Sequence, residues 1–79
     1  MALVRSIEKS EMERNSVHGT EVDCEYSIFS DHSGKRYLQI DTFGSDSRQE
    51  KGKKSQTIQF DEKSVSRLAS IIAKHFPVR

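Results

Sequence analysis

The chain contains one cysteine, Cys24, so no internal disulfide can form. That excludes a disulfide-stapled secreted scaffold and suits a reducing compartment. Long apolar runs are also missing. A membrane-spanning helix needs about 20 consecutive apolar residues, whereas the longest run here is Met1-Ala2-Leu3-Val4. The same shortage argues against a secretory leader in the first residues, and the expected location is cytoplasmic. Catalytic signatures are lacking too. The sequence holds no glycine-rich dinucleotide fingerprint, no P-loop, no HExxH and no GxSxG. A non-enzymatic protein without a cofactor is the expectation.

Metal-ligand spacing is absent as well. His18, Cys24, His32 and His75 lie on separate segments, without the close pairs that structural zinc sites use. Asp41 followed by Asp61-Glu62-Lys63 superficially matches the acid-then-acid-x-lysine layout of metal-dependent nucleases. Asp61, however, is needed as a helix cap, and Lys63 falls in the first helical turn. No metal site is expected. Cysteine–histidine catalysis is disfavoured because the alternating pattern turns Cys24 inward, as a core thiol.

Hydrophobic residues make up only 33% of the 79, and charged residues nearly as many at 32%, so the core must be one thin layer in a single domain. A chain of this size buries only about 60–65% of its unfolded surface. With neither disulfide nor metal to support it, association of two copies is a natural way to bury more, and a homodimer is expected. The net charge of +1 is unevenly spread. Residues 1–31 carry three basic and seven acidic side chains, residues 32–60 six and three, and residues 61–79 four and two. An acidic front and a basic back give a polar molecule, not a uniformly basic one.

What is present is a clear order of elements. Val22, Cys24, Tyr26 and Ile28 alternate with Asp23, Glu25 and Ser27, the period-two pattern of a half-buried strand. Ser30-Asp31-His32-Ser33-Gly34 reads as a turn, with Gly34 free to take positive φ. From Arg36 the chain alternates again, Leu38 and Ile40 to one side and Tyr37, Gln39, Asp41 and Phe43 to the other. The two runs form a hairpin. Residues 44–52 are too polar for anything but a loop, long for a hairpin connection. Residues 54–60 give a third strand with Ile58 and Phe60 inward. Asp61 then caps a helix whose Val65, Leu68, Ala69, Ile72 and Phe76 make one continuous stripe. Glu62 suits the start of the helix and Lys74 and His75 its end, and Pro77 stops it. Ile71 lies off the stripe, as a flanking core residue or a dimer contact. Residues 1–20 have no clean period: they form a tail or a short extra strand through residues 13–17.

The expected fold is therefore α+β, a three- or four-stranded antiparallel meander followed by one C-terminal amphipathic helix packed on one face. Residues 21–77 make the domain. Its core is Leu38, Ile40, Ile58, Phe60, Val65, Leu68, Ile72 and Phe76, with Val22, Cys24, Tyr26 and Ile28 opposite. Arg48, Lys51, Lys53 and Lys54 gather on the long loop, and Lys35 and Arg36 sit in the turn region at the other end of the sheet. If the helix covers Leu38 and Ile40, Tyr37 and Phe43 are left on the open face beside Gln39, Gln56 and Gln59. Rings stack on bases and cations neutralise phosphates, so this set fits a single-stranded nucleic-acid surface. The same rings could close a dimer or meet another protein, the alternative reading being a small regulatory or interaction protein. Asp23 and Glu25 oppose nucleic acid over the whole face.

Residues 36–76 resemble the single-stranded DNA-binding domain of transcriptional coactivators of the positive-cofactor-four type. The likeness lies in a strand entering a polar loop, the step Gly52-Lys53-Lys54, a strand over residues 55–60 and the acidic helix start Asp61-Glu62. The resemblance implies a curved antiparallel sheet, dimerisation through the helices, contacts from Arg48, Lys51, Lys53 and Lys54 to the nucleic-acid backbone, and stacking by Tyr37 or Phe43.

Overall fold

The computed structural model describes residues 1–11, 15–44 and 54–77. Four strands and one helix follow in order: β1 (Ala2–Val4), β2 (Cys24–Ser30), β3 (Arg36–Phe43), β4 (Lys54–Asp61) and α1 (Glu62–His75). The fold is α+β, with one sheet of order β1-β4-β3-β2. β2, β3 and β4 form the expected antiparallel meander. The sheet as a whole is mixed, because β1 adds to the far edge parallel to β4, Ala2 opposite Ile58 and Val4 opposite Phe60. This corrects the purely antiparallel expectation; of the segment 13–17, read as a tail or a short extra strand, residues 13 and 14 lie outside the described residues. Ala2-Leu3-Val4 is too short to show a period, and only β4's free edge makes it a strand.

The β2–β3 turn closes through Asp31. Its backbone N–H donates to the Lys35 carbonyl at 2.9 Å, and its carbonyl accepts from Gly34 N–H at 3.0 Å. Gly34 has φ of 89°, a conformation that costs a residue with a Cβ. The Asp31 carboxylate also accepts from the Ser33 and Lys35 amides, so one short side chain organises the whole turn. At the other end of β3 the register with β4 shifts between Thr42 and Phe43, as in a bulge.

The helix starts as its sequence requires. Asp61 Oδ1 accepts from the Ser64 backbone N–H at 2.8 Å, Glu62 lies in the first turn, and Lys74 and His75 in the last. Ser64 is buried and its hydroxyl donates to the Val4 carbonyl at 3.0 Å, which ties the helix to the exit of β1.

The helix covers only part of the apolar face. Phe60, 7% exposed, is the one buried hydrophobic side chain among the described residues. Leu38, Ile40, Val65, Leu68, Ile71 and Ile72 are half-buried. Phe76 is 62% exposed and Ile58 is also exposed. Every residue of β2 is exposed, including Tyr26 at 75% and Ile28 at 56%, and Val22 just before it is exposed too. Cys24 is likewise exposed, which corrects its assignment to the core. Alternation reports that Cys24, Tyr26 and Ile28 share a side with Leu38 and Ile40, and the register agrees. It does not report how much of that side is covered, and at the sheet edge the described residues leave it largely exposed.

Candidate nucleic-acid interface

The sheet has two unlike faces. Arg36, Leu38, Ile40, Ile58 and Phe60 look toward the helix, with Tyr26 and Ile28 beside them. The opposite face carries Glu25, Ser27 and Phe29 from β2, Tyr37, Gln39, Asp41 and Phe43 from β3, and Thr57 and Gln59 from β4. Among the described residues no helix lies on this second face.

Its centre is a ladder of side-chain hydrogen bonds across three residue pairs. Gln59 Nε2 donates to Gln39 Oε1 at 2.8 Å, and Gln39 Nε2 donates to both Asp41 oxygens at 3.1 Å. Thr57 Oγ1 donates to Asp41 Oδ1 at 2.7 Å. Asp41 is only 5% exposed, yet its carboxylate accepts from two side chains, which is what burying a charge requires. The ladder arises because Gln39 and Asp41 are two apart on one strand and Thr57 and Gln59 two apart on the next. The register sets Gln39 against Gln59 and Asp41 against Thr57.

An aromatic pair stands at the turn end. The Phe29 and Tyr37 rings stack with centroids 5.4 Å apart and planes inclined by 21°. The Tyr37 hydroxyl donates to Asp31 Oδ2 at 3.1 Å, and losing that bond on ionisation pushes the phenol up from its ordinary 10.0. The Asp31 carboxyl is held below its ordinary 3.8, chiefly by the Ser33 hydroxyl that donates to it at 2.6 Å. Asp61 is lowered as well, chiefly by the Ser64 amide. Both acids thus bind a proton less readily folded than unfolded. Their contribution is complete above the unfolded value of 3.8 and is withdrawn as pH falls toward the lower folded values. The melting temperature is expected to drop steeply below about pH 4, and an Asp31→Asn, Asp61→Asn variant to flatten that drop. A pH series of thermal melts checks it.

The site residues expected from sequence are therefore only partly gathered. Tyr37, Gln39 and Phe43 share the open face, but Tyr37 and Phe43 are half-buried, not bare. Arg36 lies on the other face, lining a hollow beneath the helix with Ile28, Leu38, Glu62 and Val65. Lys35 is on the turn and close enough to Asp61 to help keep it ionised. Lys54 begins β4, while Arg48, Lys51 and Lys53 lie outside the described residues. The eight residues of β3 separate Arg36 from Phe43 by roughly 24 Å, so Lys35 and Arg36 stand at the opposite end of β3 from Phe43. Phe29 and Asp31 were missed by sequence reasoning. Phe29 breaks no pattern in its own strand, and only the pairing Phe29↔Tyr37 reveals its role.

Among the described residues no group of three or more His, Cys, Asp or Glu side chains could hold a metal ion, and no helix is long and apolar enough to cross a membrane. Comparison with known proteins gave no match: no family model, no curated protein and no solved structure is significantly similar to the chain.

Proposed function

We propose that the protein is a homodimeric, non-enzymatic module that binds single-stranded nucleic acid on the sheet face opposite the helix. The observation that carries this reading is the make-up of that face. It offers the Phe29–Tyr37 stack and Phe43 beside the Gln39–Gln59 amides, and the helix leaves it uncovered. Aromatic planes accept any base, and amides reach base edges. Arg48, Lys51 and Lys53 belong to the connection between β3 and β4, which lies outside the described residues. Cations there would meet phosphates while the rings hold bases. The resemblance of residues 36–76 to positive-cofactor-four-type domains supports the same reading.

Dimerisation is part of the proposal. Tyr26, Ile28, Ile58 and Phe76 are exposed on the helix side. A second copy covering them would leave the opposite face of each sheet free, so the two surfaces do not compete.

The test is fluorescence anisotropy with labelled single- and double-stranded oligonucleotides at about 50 and 200 mM salt. Saturable binding that prefers single strands and weakens sharply at the higher salt is expected. Replacing Lys53 and Lys54 by alanine should flatten the slope of log affinity against log salt by roughly 1.4. No binding at the lower salt would remove the reading. A second reading, a surface for a basic protein segment, is favoured by the exposed acidic side chains Asp23 and Glu25 on or beside this face. It expects no oligonucleotide affinity, and loss of the protein partner on Tyr37→Ala or Phe43→Ala.

A further inference from the structure

We propose that the groove between residues 5–8 and the first turns of α1 is a binding site for a phosphate monoester dianion. The groove is lined by Arg5, Ser6, Ile7, Glu8, Lys63, Ser64 and Arg67 and encloses about 180 Å³. That is the space of about six waters, enough for one tetrahedral oxyanion with its ester group.

The topology explains why cations from distant parts of the chain meet here. Because β1 runs parallel to β4, it leaves the sheet at the end where α1 begins. Two hydrogen bonds then hold the departing chain along the helix: Ser64 Oγ to the Val4 carbonyl, and Arg67 Nε to the Ile7 carbonyl at 3.2 Å. The second of these orients the Arg67 guanidinium and uses only its inner nitrogen. The terminal nitrogens, the fork that grips two oxygens of one phosphate, are left for a ligand.

Charge points the same way. Lys63 and Arg67 are four apart on one helix face, a like-charge spacing that destabilises a helix by itself, and Arg5 brings a third cation to the same hollow. No ion pair among the described residues engages Arg5 or Lys63. Two acids are near. Glu8 lines the groove, and Asp61, the helix cap, lies within the field of Lys63. Three cations against Glu8 leave the lining at +2, which matches a monoester carrying up to two negative charges better than a singly charged diester. The Ser6 hydroxyl adds a further possible donor on the wall. This site is on the β1 side of the sheet and stands whether or not the open face binds nucleic acid.

The experiment is an amide-resolved NMR titration of the full chain with methyl phosphate at about pH 7.5, where the monoester is mostly dianionic. Dimethyl phosphate and sodium chloride at matched ionic strength serve as comparisons. Saturable shifts confined to residues 5–8 and 63–67 are expected with methyl phosphate, with dimethyl phosphate binding at least about tenfold more weakly. Lys63→Gln and Arg67→Gln should each weaken methyl phosphate by about tenfold or more. Lys63 is exposed and makes no structural hydrogen bond, so its variant is expected to fold. Shifts no different from those of sodium chloride, or undiminished in the Lys63 variant, would overturn the site. An equal response to dimethyl phosphate would overturn its assignment to a monoester. A final arm identifies the source of the phosphate, by competition with a single-stranded oligonucleotide bearing or lacking a 5′-phosphate. Competition by the phosphorylated strand alone supports a nucleic-acid end. Competition by neither supports a small phosphorylated molecule.

Discussion

Phe60→Ala is expected to leave the chain largely without a cooperative unfolding transition. Phe60 lies opposite Leu38 on one neighbouring strand and Val4 on the other, and it is the only described hydrophobic side chain less than a tenth exposed. It also stands next to Asp61, so its ring fixes both the middle of the sheet and the start of the helix. Removing a buried phenylalanine ring costs about 3–5 kcal/mol. A chain of this length has in total about 4–12 kcal/mol of stability. The loss is therefore a large part of the whole, and no second buried ring shares it. Urea unfolding followed by circular dichroism checks this: the midpoint should fall close to zero denaturant. Phe60→Leu should keep most of the parent's midpoint, because it leaves little cavity. Leu68→Ala should cost less than Phe60→Ala, near the lower end of the about 2–5 kcal/mol range for such truncations, because Leu68 is only half-buried. A Phe60→Ala protein as stable as the parent would mean that the β4 side of the sheet does not hold the fold together.

Tyr26→Asp with Ile28→Asp is expected to have the largest effect on assembly. Both side chains are exposed on the helix side of β2, an edge strand. In a symmetric pair each change is felt twice, once per copy. Losing the burial of one large apolar side chain is worth about 1.5–3 kcal/mol, so two per chain should raise the dimer dissociation constant by several orders of magnitude. Sedimentation equilibrium should show the parent at twice the 9.1 kDa chain mass and the variant at the single mass. Since both side chains are already exposed, the variant's helix content should stay unchanged. A parent that sediments as a single chain at high concentration would overturn the dimer. An exposed apolar strip is costly in a lone soluble chain, and a stable interface needs only about 800 Å² from each partner.

Local signals in the sequence were enough for most of the secondary structure. The alternation around Leu38 and Ile40, the polar residues and glycine of the β2–β3 turn, and Asp61 ahead of Val65, Leu68 and Ile72 each act within a few residues, and each is present in the fold; Ala69 and Phe76, read as part of the same stripe, are exposed, and Phe76 lies past the helix end. Such signals depend on backbone geometry and short-range hydrogen bonds, which a linear sequence contains in full. The candidate face was legible to the same extent: Tyr37, Gln39 and Phe43 lie together because a strand repeats every two residues.

Features set by long-range pairing were not legible. Nothing in Ala2-Leu3-Val4 marks it as a strand, and it becomes one only because β4 has a free edge. Cys24, Tyr26 and Ile28 carry the pattern of a buried face yet lie exposed, because the helix packs mainly over β4 and β3. The Phe29–Tyr37 stack, the buried Asp41 ladder and the meeting of Arg5 with Lys63 and Arg67 all join residues from different segments. The sequence by itself thus determined β2, β3, β4 and α1 and which side of each is apolar, but not β1. Strand order, coverage and every cross-strand contact waited on the folded chain, because they depend on which distant surfaces come within a few ångströms of each other.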